Sequence, residues 1–255
     1  MKSSTVEITA PDGVANAYLV RPDDRPYPGV LFIMDAFGLR PTIHEMAERI
    51  AADGYVVLAP NVFYRAGRSP VPLLPDLSDP EQRRSFFQSV LRPLIEELTP
   101  GRLAADGAAY LDYLGEVASP RPVAITGYCM GGRVGWRIAA AHPDRVAALA
   151  AFHPGGLVTE VPDSPHRSAA EVKAEMYFGF ADRDPSMTAE QIATLERTLE
   201  EVEARYRSEV YKGALHGYTM ADQASYDEVA RERHFRELRS LLQRTLAERA
   251  APGDG

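Results

Sequence analysis

The sequence predicts an α/β fold, a mostly parallel central sheet of about eight strands with helices on both faces. Three observations carry this. Short β-branched or apolar runs recur along the 255 residues with helix-forming stretches between them, the alternation that gives parallel strands joined by crossover helices. The run PVAITG from Pro122 is apolar almost throughout, as a strand covered on both faces must be. The first two runs are separated by Pro-Asp-Gly, a turn signal, so the sheet is expected to open with an antiparallel hairpin.

In chain order the strands are expected at TVEITA from Thr5, NAYLVR from Asn16, GVLFIM from Gly29, YVVLAP from Tyr55, PVAITG from Pro122, ALAAFH from Ala148, EMYFGF from Glu175 and RSEVY from Arg207. Between the fourth and fifth lie about sixty residues, the longest gap in the pattern. This gap opens as a proline-rich loop and continues into two helices broken near Thr99, Pro100 and Gly101. Long segments of this kind are usually functional, so residues 60–116 are expected to wall a pocket. The chain closes with an amphipathic helix from Ser225 and a frayed APGDG end. One domain, residues 1–255, is expected to hold all of this, as α/β sandwiches of this size routinely do.

Composition narrows the class. With 45% hydrophobic and 25% charged residues the chain is globular, and a formal net charge of −8 argues against a nucleic-acid partner. No window reaches the run of roughly 18–20 apolar residues that crosses a bilayer, and the start MKSSTVEITAPDG has no apolar signal core, so no membrane association and a cytoplasmic location are expected. The histidines are scattered and no metal-ligand spacing occurs, so neither a metal nor another cofactor is expected. A single cysteine can form no internal disulfide, which leaves its thiol free for chemistry.

That cysteine sits in GYCMGG, residues 127–132, between the strand PVAITG and the helix-forming RVGWRIAAA. A nucleophile elbow places its central residue on a strained strand-to-helix turn, and the flanking residues must be small for strand and helix to approach. Gly127, Gly131 and Gly132 meet that need around Cys129. The first N–H groups of the new helix are unpaired and lie at its positive end, where they favour a thiolate and can hold an oxyanion. The alternative is a packed small hydrophobe. A phosphate cradle is set aside, because the spacing and the lysine are missing.

A thiol nucleophile needs a base, and the base an orienting acid. His216, just past RSEVYKGAL, has the position for the base. Of the others, His44, His142, His166 and His234 read as solvated, and His153, closing ALAAFH, is a candidate to line the site. The acid is expected after EMYFGF, where Asp182 and Asp184 both stand. Asp182 is the preferred acid, with Asp184 or Ser186 capping a helix that begins near Thr188; either carboxylate can instead serve only as a turn or cap.

With G-Y-C-M-G-G-R, an Asp after G-F-A and a late H-G-Y in that order, the chain resembles the dienelactone hydrolase family of α/β-hydrolases, and PGVLFIMDAFGLRP and RIAADGYVVLAPNVFYR strengthen the likeness. The resemblance implies the α/β-hydrolase fold, Cys129 as nucleophile, Asp182 as acid and His216 as base. It also implies an oxyanion hole from the N–H groups of Ala36 and Met130. The family's thiol-modulating glutamate corresponds to Asp35, one methylene shorter. Substrate contacts are assigned to Tyr64, Arg84 and His153; an anionic substrate would be met by Arg84 or Arg65, and solvated arginines are the alternative.

The function expected is hydrolysis of a small ester or lactone, without cofactor, through a Cys-His-Asp triad and a thiolester, by a monomer or homodimer. A redox-sensing thiol protein and a non-catalytic small-molecule binding protein on the same fold are the competing readings.

Overall fold

The computed structural model describes residues 1–69 and 74–246. The expected frayed end, 251–255, and residues 70–73 of the proline-rich loop lie outside the described residues.

Eight strands form one sheet: β1 Lys2–Ala10, β2 Gly13–Arg21, β3 Gly29–Ile33, β4 Val56–Pro60, β5 Val123–Tyr128, β6 Val146–Phe152, β7 Glu175–Ala181 and β8 Tyr206–Tyr211. Their spatial order is β1-β2-β4-β3-β5-β6-β7-β8. The β1–β2 hairpin is antiparallel and pairs antiparallel with β4, and every later pairing is parallel. The expected α/β architecture is present, with the hairpin longer than its apolar runs suggested. Solvent covers much of β1, so backbone pairing rather than burial sets its length.

The central strands β3, β4 and β5 are buried at every residue, as parallel strands between two helical layers must be. Helices α4 (Pro100–Val117) and α5 (Met130–Ala141) pack together against one face. On the other face lie α1 (Pro41–Ala52) and α7 (Glu228–Leu246), laced by Arg49–Glu232, Arg239–Asp53 and Arg231–Glu45 ion pairs. The last helix begins three residues later than the sequence suggested. Helix α6 (Ala189–Glu201) starts at a capping box of Thr188 and Gln191, so Thr188 itself is the cap, in place of Asp184 or Ser186.

The long gap between β4 and β5 contains α2 (Pro80–Phe86), a π-helical turn over Phe87–Leu91, α3 (Arg92–Glu96) and then α4. Asp79 caps α2 by accepting the N–H groups of Glu81 and Gln82, and Thr99 caps α4 at the expected break.

Because β3, β5, β6, β7 and β8 run parallel, their carboxyl ends share one edge of the sheet. Residues following five strands therefore meet in one place, where open α/β sheets bind ligands.

Candidate active site

Cys129 stands between β5 and α5 at φ 54° and ψ −119°, a backbone conformation that a non-glycine residue adopts only under constraint. The glycines around it show what constrains it. A Cβ on Gly127 would lie 2.2 Å from the carbonyl oxygen of Gly131, and one on Gly131 would lie 2.4 Å from that of Ile33. On Gly132 it would press on Pro154 and Ala151. Only hydrogen fits at these three positions, and the close approach they allow fixes the turn that lifts the thiol. The Cys129 N–H donates to the Phe152 carbonyl, and its own carbonyl accepts from Gly132 and Gly155, so the elbow is tied to the end of β6.

His216 follows β8, and its ring interacts with the Cys129 sulfur on one side. On the other, its Nδ1 lies 2.6 Å from Oδ2 of Asp184. This corrects the expectation for Asp182. Residue 182 extends the β7–β8 ladder, its N–H donating to Ala214, and its carboxylate accepts the N–H of Gly213. Arg183 then adopts the left-handed conformation, φ 52°, and reverses the chain so that the next side chain faces the site. Asp184 is buried and also accepts the Ser186 N–H, so the residue read as a cap orients the histidine instead.

Burial opposes charge on His216, but the Cys129 sulfur and the Asp184 carboxylate outweigh it and push its pKa up to about 10. The imidazole is thus held as imidazolium beside the sulfur.

Neither Ala36 N–H nor Met130 N–H donates to an acceptor among the described residues. Ala36 lies in a turn just past β3, and Met130, next to Cys129 in the chain, opens α5.

Asp35 makes no hydrogen bond to the thiol among the described residues. Its buried carboxylate accepts from both terminal nitrogens of Arg40, at 2.6 and 3.0 Å, from Gln223 at 3.1 Å and from the Phe37 N–H. A side chain so fully engaged by an adjacent guanidinium holds its own loop rather than modulating Cys129.

A cavity of about 700 Å³ opens above the thiol. Cys129, Met130, His216 and Asp184 form its floor, and Phe87, Ile95 and Val158 contribute apolar wall. The segment after the proline-rich loop contributes Pro80, Arg83, Arg84, Phe87, Gln88 and Ile95 to its lining. Tyr64 does not line the cavity: its hydroxyl donates to Asp106 on α4, and Arg65 grips the same carboxylate, which turns both away. His153 is fully buried beneath the site, its ring 5.3 Å from that of His216 and its Nε2 2.7 Å from Thr219 Oγ1. Burial keeps it well below its ordinary pKa, so it packs as a neutral ring under the base. His234, read as solvated, is fully buried and hydrogen-bonded to the Tyr128 hydroxyl at 3.0 Å, and burial lowers its pKa to about 3. His44, also read as solvated, stacks on Tyr18, and His142 bonds the Ala104 carbonyl.

Arg133 was not anticipated. It sits one helical turn beyond Cys129, lines the cavity with Arg83 and Arg84, and none of the three forms an ion pair among the described residues. One buried terminal nitrogen of Arg83 has no hydrogen-bond partner. The fourth-residue spacing from the thiol was the available signal. Among the described residues Asp184 is the one carboxylate that lines the cavity, and it is committed to His216. Among the described residues no group of three or more His, Cys, Asp or Glu side chains is arranged to hold a metal ion, and no helix is long and apolar enough to cross a membrane.

Residues 15–246 match the profile of the Dienelactone hydrolase family. A Yersinia pestis protein provisionally named carboxymethylenebutenolidase is 29% identical over 221 residues, covering 82% of this chain and 76% of its own. A mouse (Mus musculus) carboxymethylenebutenolidase homolog is 26% identical over 204 residues, covering 79% and 75%. Among solved structures, a provisionally assigned dienelactone hydrolase from Klebsiella pneumoniae superposes with a TM-score of 0.81 at 22% identity, over 94% of this chain and 97% of that one, which establishes the α/β-hydrolase fold.

Proposed function

The chain belongs to the dienelactone hydrolase family and is a hydrolase of esters or lactones, and we propose that it works through Cys129 as nucleophile, His216 as base and Asp184 as orienting acid. The observation that carries this is the chain of contacts from the Asp184 carboxylate through the His216 ring to the Cys129 sulfur, set on a strained elbow at the floor of the cavity.

In the first half-reaction the thiolate attacks the carbonyl carbon, forming the C–S bond while the carbonyl π electrons move to oxygen. The N–H groups of Ala36 and Met130 hold that oxyanion. As it collapses, the C–O bond to the leaving group breaks and the His216 imidazolium gives its proton to the departing alkoxide. A thiolester on Cys129 remains. In the second half-reaction neutral His216 takes a proton from water as the hydroxyl oxygen attacks the thiolester, and the C–S bond breaks to return the thiolate and imidazolium. Losing one oxyanion donor in sites of this kind costs about 10²–10³ in rate, so two backbone donors supply a large share of the acceleration.

The three arginines, which form no ion pair among the described residues, stand beside an apolar wall and suit a small ester or lactone that carries a carboxylate. A lone cysteine that must stay reduced to attack fits a reducing compartment, the cytoplasm. The experiment is hydrolysis of p-nitrophenyl acetate by wild type beside Cys129→Ala and His216→Ala. Turnover by wild type that both variants abolish supports the reading, and turnover unchanged by Cys129→Ala removes it.

A further inference from the structure

Arg40 is almost wholly buried, with 3% of its surface exposed, and all five of its N–H donors are used. Nη1 donates to Asp35 Oδ1 at 2.6 Å and to the Gly38 carbonyl at 3.1 Å. Nη2 donates to Asp35 Oδ2 at 3.0 Å and to Asp222 Oδ1 at 3.2 Å, and Nε donates to Asp222 Oδ2 at 2.5 Å.

The two partners belong to different loops. Asp35 and Gly38 are the ends of the turn after β3, closed by the Gly38 N–H donating to the Asp35 carbonyl, and Ala36 is its second residue. Asp222 lies six residues after His216. Its neighbour Gln223 donates to Asp35 Oδ2, lines the cavity, and packs its carbonyl end against Gly217, where a Cβ would lie 2.8 Å away. The turn that presents the Ala36 N–H has no strand or helix of its own to hold it, and this polar cluster supplies the hold.

We propose that Arg40 is a positioning residue that fastens the oxyanion turn to the histidine loop and so aims the Ala36 N–H at the developing oxyanion. The proposal rests on the oxyanion-hole reading given above. His216 itself has separate anchors: Asp184 on its Nδ1, the ring of His153 against its own, and the Tyr218 hydroxyl bonded to the Gly179 carbonyl. Loosening the clamp therefore weakens oxyanion binding and leaves the thiol's reactivity in place. A guanidinium is required because its planar fork spans two carboxylates; a lysine keeps the charge and loses the fork.

The test compares wild type, Arg40→Lys and the milder Asp222→Asn, which retains one acceptor. Each is assayed for p-nitrophenyl acetate kcat and KM, for the rate of Cys129 alkylation by iodoacetamide, and for Tm. Alkylation at sp³ carbon forms no oxyanion, so it reads the thiol and His216 alone. The expected result is a kcat lowered about 10- to 100-fold in Arg40→Lys and severalfold in Asp222→Asn, with KM and alkylation within about twofold of wild type. Unchanged kcat in both variants overturns the proposal, as does a parallel fall of kcat and alkylation in Asp222→Asn at unchanged Tm. If Arg40→Lys does not fold, Asp222→Asn alone decides. Wild type without Cys129-dependent turnover would instead count against the nucleophile assignment, which the same assays report separately.

Discussion

The Asp184 carboxylate receives the Nδ1–H of His216 across 2.6 Å, although Asp182, two residues earlier, stands nearer the end of its strand. The left-handed backbone at Arg183 makes the difference, because it reverses the direction of the following side chain. Replacing Asp184 with Asn should lower kcat about 10²- to 10⁴-fold, by leaving the imidazole in the wrong tautomer and unsupported as a cation. Asp182→Asn should stay within about threefold of wild type. Steady-state kinetics on the two variants check the assignment directly.

The pH dependence follows from the contacts of His216. In the first half-reaction it must donate a proton, so acylation should persist above neutrality and fall only as pH rises through about 10, instead of near the ordinary value of 6.5. The same shift has a stability consequence. A folded-state pKa above the unfolded one stabilises the fold fully below about 6.5, and this contribution is lost as pH rises from there through about 10. Single-turnover acylation rates across pH 6–11 should show the alkaline limb, and His216→Gln should flatten the corresponding loss of stability.

The glycines of the elbow divide cleanly from those of solvent-facing helix. Gly131→Ala forces a methyl against the backbone carbonyls of Ile33 and Met34 at 2.4 and 2.6 Å and should cost about 3 kcal/mol in urea unfolding. Gly101→Ala, in the first turn of α4 with nothing within 4 Å, should be neutral or stabilising by up to about 1 kcal/mol.

Arg133 lines the cavity one turn from the nucleophile, without a carboxylate partner among the described residues. Burial pulls its guanidinium pKa down, against the attraction of Cys129 and Asp163. Arg133→Gln should lower kcat/KM for a carboxylate-bearing ester about 10- to 100-fold, the worth of one charge-assisted hydrogen bond, and leave its neutral methyl ester nearly unchanged. Equal losses on both esters would remove the charge-recognition role.

What could be read from the sequence divides along the range of the interactions involved. Strands β3 to β7 are written in local apolar runs, and the elbow in glycines at fixed distances from Cys129, so both were legible. Position 184 was hidden because the left-handed residue that turns the chain is an arginine, with no glycine to mark it. Asp35 was misread because its partners Arg40, Asp222 and Gln223 come together only in the fold. The same holds for Tyr64, drawn away by Asp106 on a helix some forty residues later, and for His234, whose polar neighbours in sequence lie on the other faces of α7 while its own face packs on β6.

The most direct test of the central claim is to catch the acyl group on the sulfur. Wild-type protein is mixed with p-nitrophenyl acetate, quenched in acid within the burst, digested, and examined by peptide mass spectrometry. The expected product is a single acetyl group on the peptide containing Cys129, removed by hydroxylamine and absent from Cys129→Ala. An acetyl group on another residue, or a burst that survives Cys129→Ala, would contradict it.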